Sequence, residues 1–468
     1  MEMEKEKEKT QEGKHVWDRL EEEERRAALA FSERYREFLT AAKTERETVN
    51  FIAGQARNHG FAPLQNCAKL KANDRVFLIG RGKIVALAVI GTEPLEKGLN
   101  IVGAHVDTPR LDLKPKPLYE EAALALFKTH YYGGIKKYQW VAIPLALHGV
   151  VAKGDGQVIP LVIGERDDDP VFTITDLLPH LAKDQMEKKM GEGITGEALN
   201  ILVGGHPVAD REVKERVKKA VLEHLSRNYG INEDDFVSAE LEAVPAWPAR
   251  DVGFDRSLVG GYGQDDRSSV FTALAAILEQ SDLRRTAVAL FADKEEIGSA
   301  GNTGMQSAFL VNFVAEIAGR CLAQYSDLTL RRILNNSRAL SADVTGGLDP
   351  SYPDVMDKHN APLLGHGVVI TKYTGARGKS GASDAHAEFV AFVRGLFDRE
   401  GVVWQTGELG KVDQGGGGTI AYLLAQHGMD VLDCGVPLLG MHSPFEIASK
   451  VDIYMAYKGF RAFLKSAD

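Results

Sequence analysis

Asn100-Ile101-Val102-Gly103-Ala104-His105-Val106-Asp107 starts as a short apolar run and ends directly at a histidine. A β-branched run of this length reads as a strand, with polar residues placed just past its carboxyl end. The arrangement recurs downstream. Residues 287–292 run into Asp293-Lys294-Glu295-Glu296, residues 338–342 run into Asp343, and residues 431–436 precede His442 by a short loop. Ligands gather outside the carboxyl ends of strands in open α/β sheets, so these residues predict one convergent site. Asp265 and Asp266 stand before an apolar helical pattern of Val270, Leu274, Ile277 and Leu278, where a carboxylate suits a helix N-terminus.

The texture of the chain changes around this framework. Trp17, Leu20, Ala27, Phe31, Tyr35 and Phe38 repeat at roughly helical spacing, predicting helix over 15–60. Strands are expected at 75–79 and 84–90. From about 110 to 248 the sequence shows short strands (141–147, 158–163), a helical stretch at 212–227, many turn signals and no catalytic cluster. That segment reads as an inserted second domain between 1–109 and 249–468. Residues 1–12 form a low-complexity charged tail. A chain of 468 residues is long enough for two cores.

Sixty-six acidic against 56 basic side chains give a net charge of −10, which argues against nucleic-acid and anionic-membrane partners. No apolar run approaches the ~20 residues of a membrane-spanning helix, and the Glu/Lys-rich start lacks the apolar stretch of a secretory signal. Cys67, Cys321 and Cys434 are far apart and form no C-x-x-C pair, so reduced thiols in a cytoplasmic protein are expected. The run 415–418 lacks a following Lys-Ser or Lys-Thr and does not read as a phosphate loop.

Imidazole nitrogens and carboxylate oxygens are a donor set suited to zinc. Two ions a few ångströms apart need a shared carboxylate, which Asp265 could supply. His105 and Asp343 would complete one ion, Glu296 and His442 the other. A paired-metal site lowers the pKa of a bound water, polarises a peptide carbonyl and anchors a free amino group. Glu295 is then left as general base, and Asp107 could hold the His105 ring from behind. Each piece alone has an ordinary explanation: Asp-Asp before a helix is usually a cap, and Glu-Glu after a strand usually a solvated loop. Their combination, in this order, carries the reading.

The stretches 103–111 (Gly-Ala-His-Val-Asp-Thr-Pro-Arg-Leu), 293–299 (Asp-Lys-Glu-Glu-Ile-Gly-Ser), 341–344 (Ser-Ala-Asp-Val) and 440–443 (Gly-Met-His-Ser) resemble the signature segments of the aspartyl aminopeptidase family, which includes vacuolar aminopeptidase I. The resemblance runs from about residue 45 to the end. It implies a zinc-exopeptidase-like α/β fold, a mixed sheet sandwiched by helices, with an inserted β-rich domain used for oligomerisation, often into a dodecamer. It also implies two zinc ions per subunit on His105, Asp265, Glu296, Asp343 and His442, with Glu295 as base and Asp107 supporting His105. Cobalt and manganese are other ions such donors could hold.

The implied activity is removal of the N-terminal residue from peptides, with a preference for acidic residues. Lys372, Arg377 and Lys379 form a basic stretch that could read an acidic side chain, and Asp413 begins a stretch similar to a substrate pocket. The sequence departs from familiar members in two places. No histidine follows Asp343, as it does in those members. The segment 133–140 carries lysines where they present a histidine, so the chain reads as a divergent bacterial-type branch. A two-metal deacylase or amidase, and a non-catalytic oligomeric scaffold with a structural metal, are the competing readings. Retention of Glu295 beside a full ligand set argues against the scaffold.

Overall fold

A computed structural model describes residues 15–467; the tail expected at 1–12 lies outside them. The chain divides into two compact units, one of residues 1–107, 249–441 and 445–468, the other of 108–248 and 442–444.

The first unit is built on a nine-stranded sheet. Its strands are β1 (Ala62–Pro63), β2 (Arg75–Gly80), β3 (Ile84–Val89), β4 (Asn100–His105), β5 (Ala287–Ala292), β6 (Arg338–Ser341), β7 (Val368–Thr371), β8 (Trp404–Thr406) and β9 (Asp430–Gly435). The spatial order is β1-β2-β3-β5-β4-β6-β9-β7-β8. Strands β5, β4, β6 and β9 run mutually parallel at the centre. Every residue of β3, β4 and β5 is buried, as expected of central strands covered on both faces, which read as continuous apolar runs. The register sets Ala292 beside His105 and Ser341 beside Gly103. The carboxyl ends that carry Glu295, His105 and Asp343 are therefore neighbours.

Helices α1 (Glu22–Ala41), α2 (Glu45–Asn58), α3 (Gln264–Leu278) and α4 (Lys450–Lys465) belong to this unit, with α3 and α4 packed on each other. The continuous helix expected over 15–60 is interrupted. Thr44 caps α2 by accepting from the Glu47 N–H, and the Glu47 carboxylate accepts from the Thr44 N–H in return. This reciprocal capping satisfies donors at a helix start and so ends the run at residues 42–44. A second, five-stranded sheet includes the antiparallel pair Leu258–Gly261 and Glu446–Ser449.

The second unit contains a seven-stranded sheet and the helix Arg216–Tyr229. Its strand near 141–147 is shifted to Leu145–Ala152, and it opens on two long strands that the sequence reading did not assign, Arg110–Glu121 and Leu124–Tyr132. Among the described residues, no helix is long and apolar enough to cross a membrane.

Candidate metal centre

His105 is the last residue of β4 and is buried. Its Nδ1 lies 3.0 Å from the Asp107 carbonyl oxygen and 3.3 Å from Asp107 Oδ1. Both are acceptors, so Nδ1 carries the proton and Nε2 points the other way. Nε2 lies 3.2 Å from Asp265 Oδ1 and 3.8 Å from Asp343 Oδ1. Two overlapping donor groups result, His105–Asp265–Glu296 and His105–Asp266–Asp343, each with its donor atoms within 4.8 Å of one another.

The acidic residues reach the site by different local routes. Asp343 follows β6 by two residues. Asp265 and Asp266 open α3 in non-helical conformations, φ −82, ψ 104 and φ −115, ψ 28. Asp266 turns inward, its Oδ2 accepting the His105 backbone N–H at 3.1 Å. Glu295 and Glu296 lie beyond the pleat of β5. Lys294 adopts a left-handed conformation and a single 3₁₀ turn, Glu295–Ile297, carries both. Asp107 holds that turn: its Oδ1 accepts the Glu295 N–H at 3.0 Å and its Oδ2 the Glu296 N–H at 3.1 Å. One fully buried carboxylate thus orients the imidazole and both glutamates.

So many buried carboxylates disturb one another. Burial, reinforced by Asp343 and Asp265, pushes Asp266 well above the ordinary carboxyl range. Burial first, then Asp343, Asp265 and Asp107, pushes Glu295 up to about 8. Burial pulls the other way on His105, but the carboxylates of Asp107, Asp265 and Asp343 outweigh it and hold the imidazole well above its usual value. A divalent cation among these oxygens would relieve the repulsion and restore the ionised forms. The donor set, one imidazole with several carboxylates, is the chemistry zinc takes, so the residues present fit such an ion.

His442 falls in the second unit. Its Nδ1 lies 2.8 Å from the Gly134 carbonyl oxygen, which can only accept, so this ring too carries its proton on Nδ1. Lys372 and Lys379 both lie 3.2 Å from carboxylate oxygens of Asp384. The basic stretch is thus partly neutralised from within, and the Lys372 bond, followed by that of Lys379, holds the Asp384 carboxyl below its ordinary value. Asp413 is exposed, at φ 71. Two contacts were missed by the sequence reading: Asp266 holding the His105 amide, and Asp107, expected only behind the His105 ring, holding the glutamate turn as well. Neither bond leaves a signal in spacing, because each joins residues more than 150 positions apart.

The family model described as Aminopeptidase I zinc metalloprotease (M18) matches residues 38–464. A Clostridium acetobutylicum protein named Probable M18 family aminopeptidase 1 is 51% identical over 457 residues, covering 97% of this chain and 98% of its own. The crystal structure of an M18-family aminopeptidase from Thermotoga maritima superposes with a TM-score of 0.94 at 50% identity, covering 97% of this chain and all of that one. The fold is also shared with the S. cerevisiae mApe1 dodecamer, at TM-score 0.74 and 21% identity, over 92% of this chain and 96% of that one.

Proposed function

Because the chain belongs to the aminopeptidase I zinc metalloprotease family, M18, we propose that its metal centre holds two zinc ions and that Glu295 is its general base. The chain is a metallo-aminopeptidase. The observation that carries the finer reading is His105 Nε2 aimed between Asp265 and Asp343, with Glu296 gathered on the same Asp265 carboxylate. Asp265 would be the shared ligand, with His105 and Asp343 holding one ion and Glu296 the other. His442 stays in the ligand set on the sequence resemblance alone. When bound, the ions supply Lewis acidity and lower the pKa of water at the site.

The remaining steps fall to side chains of this chain. Glu295 takes the proton from the attacking water and returns it to the departing amine. Asp107 keeps Glu295 and Glu296 in register through their backbone amides and fixes the His105 tautomer. Asp266 anchors the carboxyl end of β4. We assign self-association to the second unit, as the resemblance implies, with a dodecamer like that of the S. cerevisiae protein as the expected assembly. The unpaired thiols of Cys67, Cys321 and Cys434 suit a reducing compartment, and we place the chain in the cytoplasm.

The test is a panel of N-terminal-residue amides, with zinc removed by chelation and then added back. Release that needs zinc and a free amino group supports the reading. Equal release from N-acetylated substrates would favour a deacylase, and no release with any substrate would favour a scaffold.

A further inference from the structure

One buried carboxylate close to the metal centre has no task in that scheme. Glu446 is 1% exposed and begins the strand Glu446–Ser449. Antiparallel pairing sets it opposite Gly261, the last residue of Leu258–Gly261. From there Tyr262 and Gly263 turn the chain into α3. Gly263 sits at φ 74, a conformation that costs glycine little. The Glu446 side chain spans this turn, and its Oε2 accepts the backbone N–H of Asp265 at 3.2 Å.

The same turn is tied from its other side. The Gln264 amide donates to the carbonyls of Val259 at 3.1 Å and Glu446 at 2.6 Å, and its own oxygen accepts from the Tyr35 hydroxyl at 3.1 Å. Gln264 and Tyr35 are both fully buried. They fix residue 264, whereas Glu446 fixes the amide of residue 265, whose carboxylate faces His105 Nε2. A hydrogen bond to a charged acceptor is among the stronger ones in proteins, and here it acts at the residue whose φ and ψ aim the shared carboxylate.

We propose that Glu446 is a positioning residue of the metal centre: by holding the Asp265 amide it sets the direction of the Asp265 carboxylate and of Asp266 behind it. The inference rests on the metal-centre reading above. A merely structural Glu446 would tie strand to turn without affecting zinc. The two roles separate through variants that divide reach from charge. Glu446→Gln keeps an oxygen at the same reach and loses the charge. Glu446→Asp keeps the charge and withdraws the oxygen by one methylene.

Zinc affinity of the full chain is measured by competition with a chromogenic chelator, alongside thermal unfolding in excess chelator. Glu446→Asp should bind zinc roughly 10–100-fold more weakly, the usual loss when a group that orients a ligand is removed. Glu446→Gln, which keeps the oxygen in reach but as a neutral acceptor, should lose less than Glu446→Asp, and neither affinity should track the unfolding temperature. Wild-type affinity in Glu446→Asp, or an equal loss in Glu446→Gln, overturns the proposal. A wild-type chain that binds no zinc would overturn the metal-centre reading itself, and this inference with it.

Discussion

Replacing Asp107 by asparagine should damage zinc binding and turnover together. Asp107 is fully buried, and its two oxygens each accept one backbone N–H, from Glu295 at 3.0 Å and Glu296 at 3.1 Å. Asparagine keeps one acceptor oxygen. Its NH₂ group must then face either one of those N–H groups or the protonated Nδ1 of His105, and neither can accept. At least one hydrogen bond to a charged acceptor is lost, worth about 1.5–3 kcal/mol, and the remaining one is weakened because the acceptor is neutral. With about 1.4 kcal/mol per tenfold, the expected loss is roughly 10–100-fold. It should divide between zinc affinity, through Glu296 and His105, and kcat, through Glu295. Chelator competition gives the first part, and release from an amino-acid p-nitroanilide at saturating zinc gives the second. If Asp107→Asn keeps both parameters at wild-type values, the bonds to the glutamate turn do not position the site.

Glu295→Gln should bind zinc normally and lose about 10²–10⁴-fold in kcat, while Glu296→Gln and His442→Ala should lose zinc first and recover partly in excess metal; metal stoichiometry and kcat for the three decide, and a reversed pattern for the glutamates exchanges their roles. Burial pushes Asp433 up to about 7, against about 3.9 for a free aspartate. The folded chain therefore holds a proton that the unfolded chain releases, so Asp433 should make stability fall as pH rises from about 4 to 7; denaturant unfolding in chelator should show this slope, and Asp433→Asn should flatten it. In the amide panel we expect Asp and Glu to be the preferred first residues, with Lys372→Ala raising their KM selectively; fastest turnover of Leu or Lys substrates would refute this. The chain should sediment as a large homo-oligomer at micromolar concentration, and a chain lacking 115–245 should not; a full-length monomer refutes the assignment.

The fold class was legible because its decisive strands are buried on both faces. Ala287–Ala292 was readable to the residue, since a strand covered by helices has no reason to alternate. Arg110–Glu121 escaped for the opposite reason. Pro115 and Pro117 interrupt it, the register slips between Leu113 and Leu118, and proline within a run argues against a strand. The break at 42–44 had a readable cause, the Thr44-x-x-Glu47 box, but apolar residues on both sides keep a helical period and mask it. At the site, chemical type and position at strand ends were visible. The directions of the side chains were not. Glu295 and Glu296 are placed by a left-handed Lys294 and the 3₁₀ turn that follows, a turn held by an anchor 188 residues earlier.

That distant anchoring follows from what the centre must do. Ligands for a small cation have to converge, and convergence brings Asp265, Asp266, Asp343 and His105 into one buried cluster where like charges oppose ionisation. The acidic side chains cannot hold one another in place, because their mutual terms are repulsive. Their directions must come from the backbone, and the anchors observed act there: Asp107 on the amides of Glu295 and Glu296, Asp266 on that of His105, and Glu446 on that of Asp265. Each is a buried carboxylate accepting from an N–H near the end of an element, where the backbone's own hydrogen-bond partners run out. The parallel register of β5, β4 and β6 brings those ends together. The anchors then convert the carboxyl ends of these central strands into a donor set whose directions do not rest on the repelling side chains.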